Sequence, residues 1–392
     1  MGRQFKSRCE VALVGYAHSP IYRHSPVPIG ALTIDTCLRA ITDAGLKKEQ
    51  IDGFTTGSML PAFSGRAPVD GVDIVTSNWI TEQLGVHARW LCGFQGLGQI
   101  PGAVILAVNA IASGAANYVL VHRALSNPPG KYHENPMTEA RGPAQWTAPH
   151  GLWGPPAMMA LSYMGYMQRY GATREDMARV VVELRRHAAR IPWAFWYDKP
   201  LTVDDYLNAR MIADPICVLD CDIPVDGAVA FILTSAERAR DLPHKPVYVA
   251  GYAQASLTEP NTLWSVTHAQ QAGVQACKSL WEHTGLSVAE IDLAQIYDGF
   301  SPFVYMWLEA LGFCGIGEAH LFLREQNDLS RFFSGGGSLG NGRMHGVPPM
   351  LECYLQLSRR AGERQMEDVK TGLACHSHPH HGGVVAYCAE PL

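Results

Sequence analysis

The chain has no CxxC pair among its ten cysteines, no apolar leader behind its basic start, and no charge excess that would point to a polyanionic partner. The opening residues MGRQFKSRCEVALVGY lack the hydrophobic stretch and small-residue cleavage site of a signal peptide. With no secretory signal, the cysteines read as reduced, mostly buried thiols of a cytoplasmic protein. A formal net charge of −5 leaves no footprint for nucleic acid. Apolar residues at 47% with 17% charged argue against disorder and suit a globular α/β enzyme. Ile100–Val121 has no formal charge over 22 residues, long enough to span a bilayer. Pro101, Asn109, Ser113, Gly114 and Asn117 punctuate it, so it parses as a buried helix, a glycine turn and a buried strand. No membrane span is expected. The segment CHSHPHH, with His376, His378, His380 and His381, has no nearby Asp, Glu or second Cys to complete a metal shell. An imidazole-rich loop, lining a pocket or exposed, is expected there, and no metal site.

What is present is a repeat of long period. EVALVGYA runs into a helix and then AITDAGLKKEQIDGFTTGS; PVYVAGYA runs into a helix and then SLWEHTGLSVAEIDLAQIYDG. Gly15-Tyr16-Ala17 matches Gly251-Tyr252-Ala253, 236 residues on, and Gly45-Leu46 and Ile51-Asp52 match Gly285-Leu286 and Ile291-Asp292, 240 on. Each copy reads strand, helix ending at a glycine, short turn, strand. A period this long is a domain duplication. We expect one half over 1–240 and another over 241–392. A mostly parallel sheet covered on both faces should run through them. A loop domain over about 125–215 is inserted in the first half. Within it, a helix should start at Thr173, with Asp176 in capping-box spacing, and stop before Pro192.

RRHAARIPWA, CDIPVDGAVAFILTSAERA, IYDGFSPFVYMWLEALGFC, SGGGSLGNGRMHG and AGERQ fall in the order seen in thiolases of the sterol-carrier-protein and lipid-transfer type, which the chain resembles along nearly its whole length. The resemblance implies the thiolase fold: two duplicated βαβ-based halves in a five-layered αβαβα body. It also implies a homodimer meeting at the apolar strand after Gly114. Where such a thiolase carries its nucleophilic cysteine, this chain has Gly96-Leu97-Gly98. Cys92 lies upstream, on the incoming strand. The family's His-Asn or His-Asp site appears as Tyr297-Asp298-Gly299-Phe300. Its Gly-His-Pro loop appears as Gly342-Arg343-Met344-His345-Gly346. Its last cysteine falls within His378–Gly383.

Acyl transfer needs the cysteine, but stabilising an enolate beside a thioester does not. A retro-aldol cleavage uses only the second capacity. Tyr297 is the candidate that takes the β-hydroxyl proton, and Arg343 or His345 could hold the enolate. Asp298 either orients the site or caps the helix beginning near Ser301. The glycines from Gly335 to Gly342 are expected to let backbone approach a ligand closely. Gly96, Gly98, His380, His381, Gly382 and Gly383 are the candidate substrate-binding residues. The chain looks most like steroid side-chain-cleaving aldolases of bacterial sterol degradation, in which a tyrosine often occupies the Arg343 position. That likeness implies cleavage of a 17-hydroxy steroid acyl-CoA to a 17-ketosteroid and propionyl-CoA or a similar short acyl-CoA. No cofactor is implied beyond coenzyme A in the substrate, and a small OB-fold, zinc-ribbon partner subunit is expected. The alternatives are an acyltransferase using Cys92 or Cys388, and a non-catalytic lipid or acyl-CoA carrier.

Overall fold

The computed structural model describes residues 5–57, 72, 74–94, 99–126, 142–152, 154–254, 265–377 and 382–392. EVALVGYA forms β1 (Val11–His18), and α1 (Ile29–Asp43) follows it. Gly45, at φ 71°, ends that helix: its N–H donates to Thr42 O at 2.9 Å and Leu46 N–H donates to Ile41 O at 3.1 Å. β2 (Gly53–Thr56), α2 (Ser77–Leu84), β3 (Trp90–Gly93), α3 (Gln99–Ala112) and β4 (Tyr118–Leu125) come next. α3 and β4, joined through Gly114, account for the uncharged run. No helix among the described residues is long and apolar enough to cross a membrane.

The insertion carries α4 (Gly154–Tyr170), α5 (Arg174–Ala188), α6 (Val203–Leu207) and a hairpin of β5 (Met211–Ala213) and β6 (Ile216–Cys217). α5 starts as its sequence predicts. Asp176 Oδ2 accepts the Thr173 N–H at 2.8 Å, and Thr173 Oγ1 accepts the Asp176 N–H at 3.4 Å. β7 (Gly227–Ser235) and α7 (Ala236–Ala239) lead to β8 (Val247–Gln254), α8 (Val266–Thr284) and β9 (Leu293–Gln295). α9 (Phe303–Leu311), α10 (Ala319–Glu325), α11 (Ser330–Phe333), α12 (Gly337–Asn341) and α13 (Val347–Leu357) precede the final hairpin of β10 (Thr371–His376) and β11 (Gly383–Cys388).

The repeated residues do the same work twice. A side chain on Gly15 would begin 2.7 Å from Ala44 Cβ, and one on Gly251 would begin 2.7 Å from Thr284 Cγ2. Glycine at each place lets the end of the following helix close on its strand. Asp52 Oδ1 accepts the N–H groups of Asn117 and Tyr118 at 2.8 and 2.9 Å. Asp292 Oδ2 accepts those of Lys370 and Thr371 at 2.8 and 3.0 Å. Each Ile-Asp pair therefore buries its isoleucine and uses its carboxylate to hold the start of β4 or β10.

Among the described residues, nine strands join in the order β3-β2-β4-β7-β1-β8-β11-β10-β9. Read outward from the β1–β8 contact, β1-β7-β4-β2 mirrors β8-β11-β10-β9, with the same strand directions in each arm. Strand alternation divides the core in two. Val11, Leu13, Val119, Val121, Val229, Phe231 and Val385 face a central layer that holds α3 and α13. Ala12, Val14, Ala228, Ala230 and Ala250 face the outer layers, where α1 and α8 lie. Small residues on that outer face allow the helices a close approach.

Two expectations need correction. The sheet is mixed, not mostly parallel. Only β2–β3, β2–β4 and β9–β10 run parallel, while the other five pairings are antiparallel. β7 and β11 re-enter the sheet at the end the chain has just left, so no crossover is required. The strand after Gly114 is also not an outer surface. β4 is hydrogen-bonded on both sides, to β2 and β7, and its apolar residues are buried within the one chain. β3 and β9 are the edge strands of the described sheet, and Leu91 of β3 is exposed.

Candidate active site

The ends of β4, β9 and β10, the start of α3 and the loop before α13 converge on one region. The turn after β9 supplies Tyr297 and Asp298. The Tyr297 ring stacks on Phe303, with centroids 6.0 Å apart, and its hydroxyl folds back over Gly299, where a side chain would begin 2.4 Å from the oxygen. Burial pushes the Tyr297 phenol well above its ordinary range and the carboxylate of Asp222 adds to this, while Arg343 and Arg123 oppose it. Tyr297 is therefore a neutral phenol at physiological pH.

Asp298 is fully buried and accepts the N–H groups of Ser338 at 2.6 Å and Leu339 at 3.0 Å. It thus caps α12 from outside that helix, not the helix near Ser301. Burial lifts its carboxyl to about 7 against the pull of those hydrogen bonds. Gly337, at φ 58°, has to be glycine, because a side chain there would begin 2.0 Å from Asp298 Oδ2. The neighbouring glycines are likewise filled by protein rather than held open for a ligand. Gly335 abuts Glu352, Gly336 and Gly340 abut Ala188 at the end of α5, and Gly342 abuts Val225. Close packing of the loop on its supports overrides the expectation of ligand access.

That packing delivers Arg343, whose N–H donates to Ile223 O at 2.8 Å. Arg343 Nε lies 3.9 Å from Asp222 Oδ1, and both side chains are buried. The Asp222 N–H in turn donates to Gly299 O at 3.2 Å, tying this carboxylate to the Tyr297 turn. His345 is half-buried with φ 45°, in the left-handed region. A side chain on Gly346 would begin 3.1 Å from Pro101 in the first turn of α3 and 3.3 Å from His376 Cβ, so this loop lies across the α3 N-terminus. Burial lowers the imidazole of His376 to about 3, keeping it neutral. Gly383 pairs with His376 across the final hairpin, and Gly382 beside it is buried. Gly96, Gly98, His380 and His381 lie outside the described residues.

The two candidate thiols lie on strands, Cys92 on β3 and Cys388 on β11. Cys92 sits on β3 opposite Thr55, on the incoming strand as expected. Cys388 ends β11, five residues and about 17 Å along the strand from Gly383. Its sulfur lies 3.4 Å from that of Cys9, a neighbour which, with burial, pushes the Cys388 thiol up.

Sequence reasoning missed two charged residues. Asp222 stood in CDIPVDGAVAFILTSAERA, read only for its place in the order of motifs, and Arg123 stood just past the uncharged run, in the strand after Gly114 read as apolar. Arg123 is fully buried, and its Nε, Nη1 and Nη2 have no hydrogen-bond partner among the described residues. Burial and the like charge of Arg343 lower its guanidinium to about 9, so it stays charged at neutral pH. A charged residue breaking an apolar strand was the signal available for it.

Residues 250–386 match the model of the thiolase C-terminal domain-like family. The chain is 33% identical over 365 residues to the 17-hydroxy-3-oxo-4-pregnene-20-carboxyl-CoA lyase of Mycobacterium tuberculosis, covering 89% of this chain and 91% of that protein. It is 33% identical over 353 residues to the steroid side-chain-cleaving aldolase of Thermomonospora curvata, covering 86% and 87%. Among solved structures it is similar to the Ltp2-ChsH2(DUF35) aldolase, with a TM-score of 0.84 and 29% identity over 97% of this chain and 98% of that one. Human mitochondrial 3-ketoacyl-CoA thiolase shares the fold, with a TM-score of 0.69 at 15% identity over 97% of this chain and 99% of that one. The chain belongs to the thiolase superfamily, in the group that holds the steroid side-chain-cleaving aldolases.

Proposed function

We propose that the protein is a carbon–carbon lyase that cleaves a β-hydroxy acyl-CoA by a retro-aldol reaction. The substrate class we assign is a 17-hydroxy steroid acyl-CoA, released as a 17-ketosteroid and propionyl-CoA or a similar short acyl-CoA. Two relatives 33% identical over most of the chain carry the names of such a lyase and such an aldolase. The observation that carries the reading is the buried group of Tyr297, Arg343 and Asp222, which sets a neutral phenol near a carboxylate and a guanidinium.

In the reaction the β-hydroxyl proton leaves, the Cα–Cβ bond breaks to give the ketone, and the electron pair moves into the thioester enolate, which is then protonated at Cα. Tyr297 oxygen takes the hydroxyl proton as its own proton passes on. Asp222, the carboxylate whose charge acts most strongly on that phenol, is the acceptor we assign. Asp298 and His345 serve by holding the loops around α12 and α3. Gly382 and Gly383, with Gly96, Gly98, His380 and His381, would complete the substrate-binding wall. Coenzyme A enters as part of the substrate and no cofactor is called for.

The division at 1–240 and 241–392 is part of this reading, supported by the mirrored strand order. A homodimer through the β3 edge is supported by its exposed Leu91. A small partner subunit is supported by the two-component name of the structural neighbour. We place the reaction in the cytoplasm. Co-expression with candidate partner subunits, then mass spectrometry of products from a 17-hydroxy steroid acyl-CoA, tests the activity. Sedimentation tests the assembly, and a stable, active monomer would count against the dimer.

A further inference from the structure

Arg123 sits near the end of β4, where alternation turns its side chain toward the central layer with Val119, Val121 and Leu125. Two residues on, Leu125 pairs with Gly227, and Met344 Sδ lies 3.3 Å from where a side chain on Gly227 would begin. Gly346, in the same loop as Met344, abuts Pro101 of α3. The guanidinium therefore enters the region between the Arg343–Gly346 loop and the α3 N-terminus, whose partial positive charge also favours an anion. The two arginines differ in one respect. Arg343 faces the Asp222 carboxylate at 3.9 Å, while among the described residues Arg123 has no hydrogen bond from its guanidinium and no carboxylate acting on its charge. A buried cation with no counter-charge among the described residues is costly in the free protein. It is repaid if the site generates an anion during turnover.

We propose that Arg123 is a catalytic residue that holds the thioester enolate oxygen formed as the Cα–Cβ bond breaks. This rests on the retro-aldol reading and moves the enolate cation from Arg343 or His345, where the reading of the sequence put it, to the opposite half of the chain. The electron pair of the broken bond ends on an oxygen facing an unbalanced guanidinium, and a proton then returns to Cα, so no co-reactant is needed. The same enolate forms when propionyl-CoA alone exchanges its α-protons, by reversal of the last step, without any β-hydroxyl group.

The test is α-proton exchange of propionyl-CoA in D2O, followed by mass spectrometry, on the protein with any subunit that co-purifies. Arg123→Met should slow exchange by about 10²–10³, the usual effect of losing one oxyanion donor, with propionyl-CoA affinity little changed. Its thermal midpoint should hold or rise, because an unbalanced buried charge is gone, whereas a structural role for Arg123 predicts a fall. If Arg123→Met does not fold, Arg123→Gln decides by the same readouts. Wild-type exchange rates in the variant, or no exchange in the wild-type protein, overturn the proposal. Exchange without cleavage of the steroid acyl-CoA would sink the substrate reading and leave this one standing.

Discussion

Arg343 Nε lies 3.9 Å from Asp222 Oδ1 with both side chains buried, and this pair sits against the turn that carries Tyr297. The pair joins the two halves of the chain. It also sets the charge around the phenol, because Asp222 makes Tyr297 harder to ionise while Arg343 makes it easier.

Asp222→Asn removes one carboxylate charge that acts on the Tyr297 phenol while keeping the shape of the side chain. If Asp222 accepts the relayed proton, turnover should fall by about 10²–10⁴ in the same variant. Unchanged turnover in Asp222→Asn would remove Asp222 from the relay.

Asp298 gives a pH signature. Its carboxyl is raised by burial to about 7, from an ordinary value of 3.8. The folded chain then binds a proton that the unfolded chain has released, so this group's contribution to stability falls as pH rises from about 4 to about 7. The stability of wild type minus that of Asp298→Asn should decline across this window and level off above it, measured by denaturant unfolding at several pH values. A flat difference would mean that Asp298 does not titrate there.

The repeated glycines can be tested as a pair. Gly251→Ala places a methyl 2.7 Å from Thr284 Cγ2 and should cost about 1–3 kcal/mol. Thr284→Ala in the same chain removes that contact and should restore much of the loss in a double-mutant cycle. Additive losses would show that the glycine serves something other than the helix approach.

Cys92→Ala should lower turnover by well under about tenfold, because no covalent intermediate is proposed. An inactive Cys92→Ala beside label trapped on protein from acyl-CoA would favour acyl transfer instead.

The duplication was legible because Gly15, Gly251, Asp52 and Asp292 act locally, closing a helix on a strand or holding the next strand's start. Those duties demand particular residues at particular spacings, and spacing survives in one dimension. Strand direction was not legible, since an antiparallel return through a long insertion looks the same in sequence as a crossover. The interior place of β4 was hidden for a related reason: an apolar strand reads alike whether neighbouring strands or a second subunit cover it. Tyr297 and Arg343 were found through their motifs. Asp222 and Arg123 were not, because their charge matters only once folding buries them beside residues from the other half.

The central claim is bond cleavage through Tyr297, and the most direct measurement compares turnover and products of wild type and Tyr297→Phe with a 17-hydroxy steroid acyl-CoA. The ring stays on Phe303 in the variant, so the comparison isolates the hydroxyl. The account predicts 17-ketosteroid and a short acyl-CoA in equal amounts from wild type, with turnover about 10²–10⁴ lower in the variant at similar substrate affinity. A fully active Tyr297→Phe would contradict it.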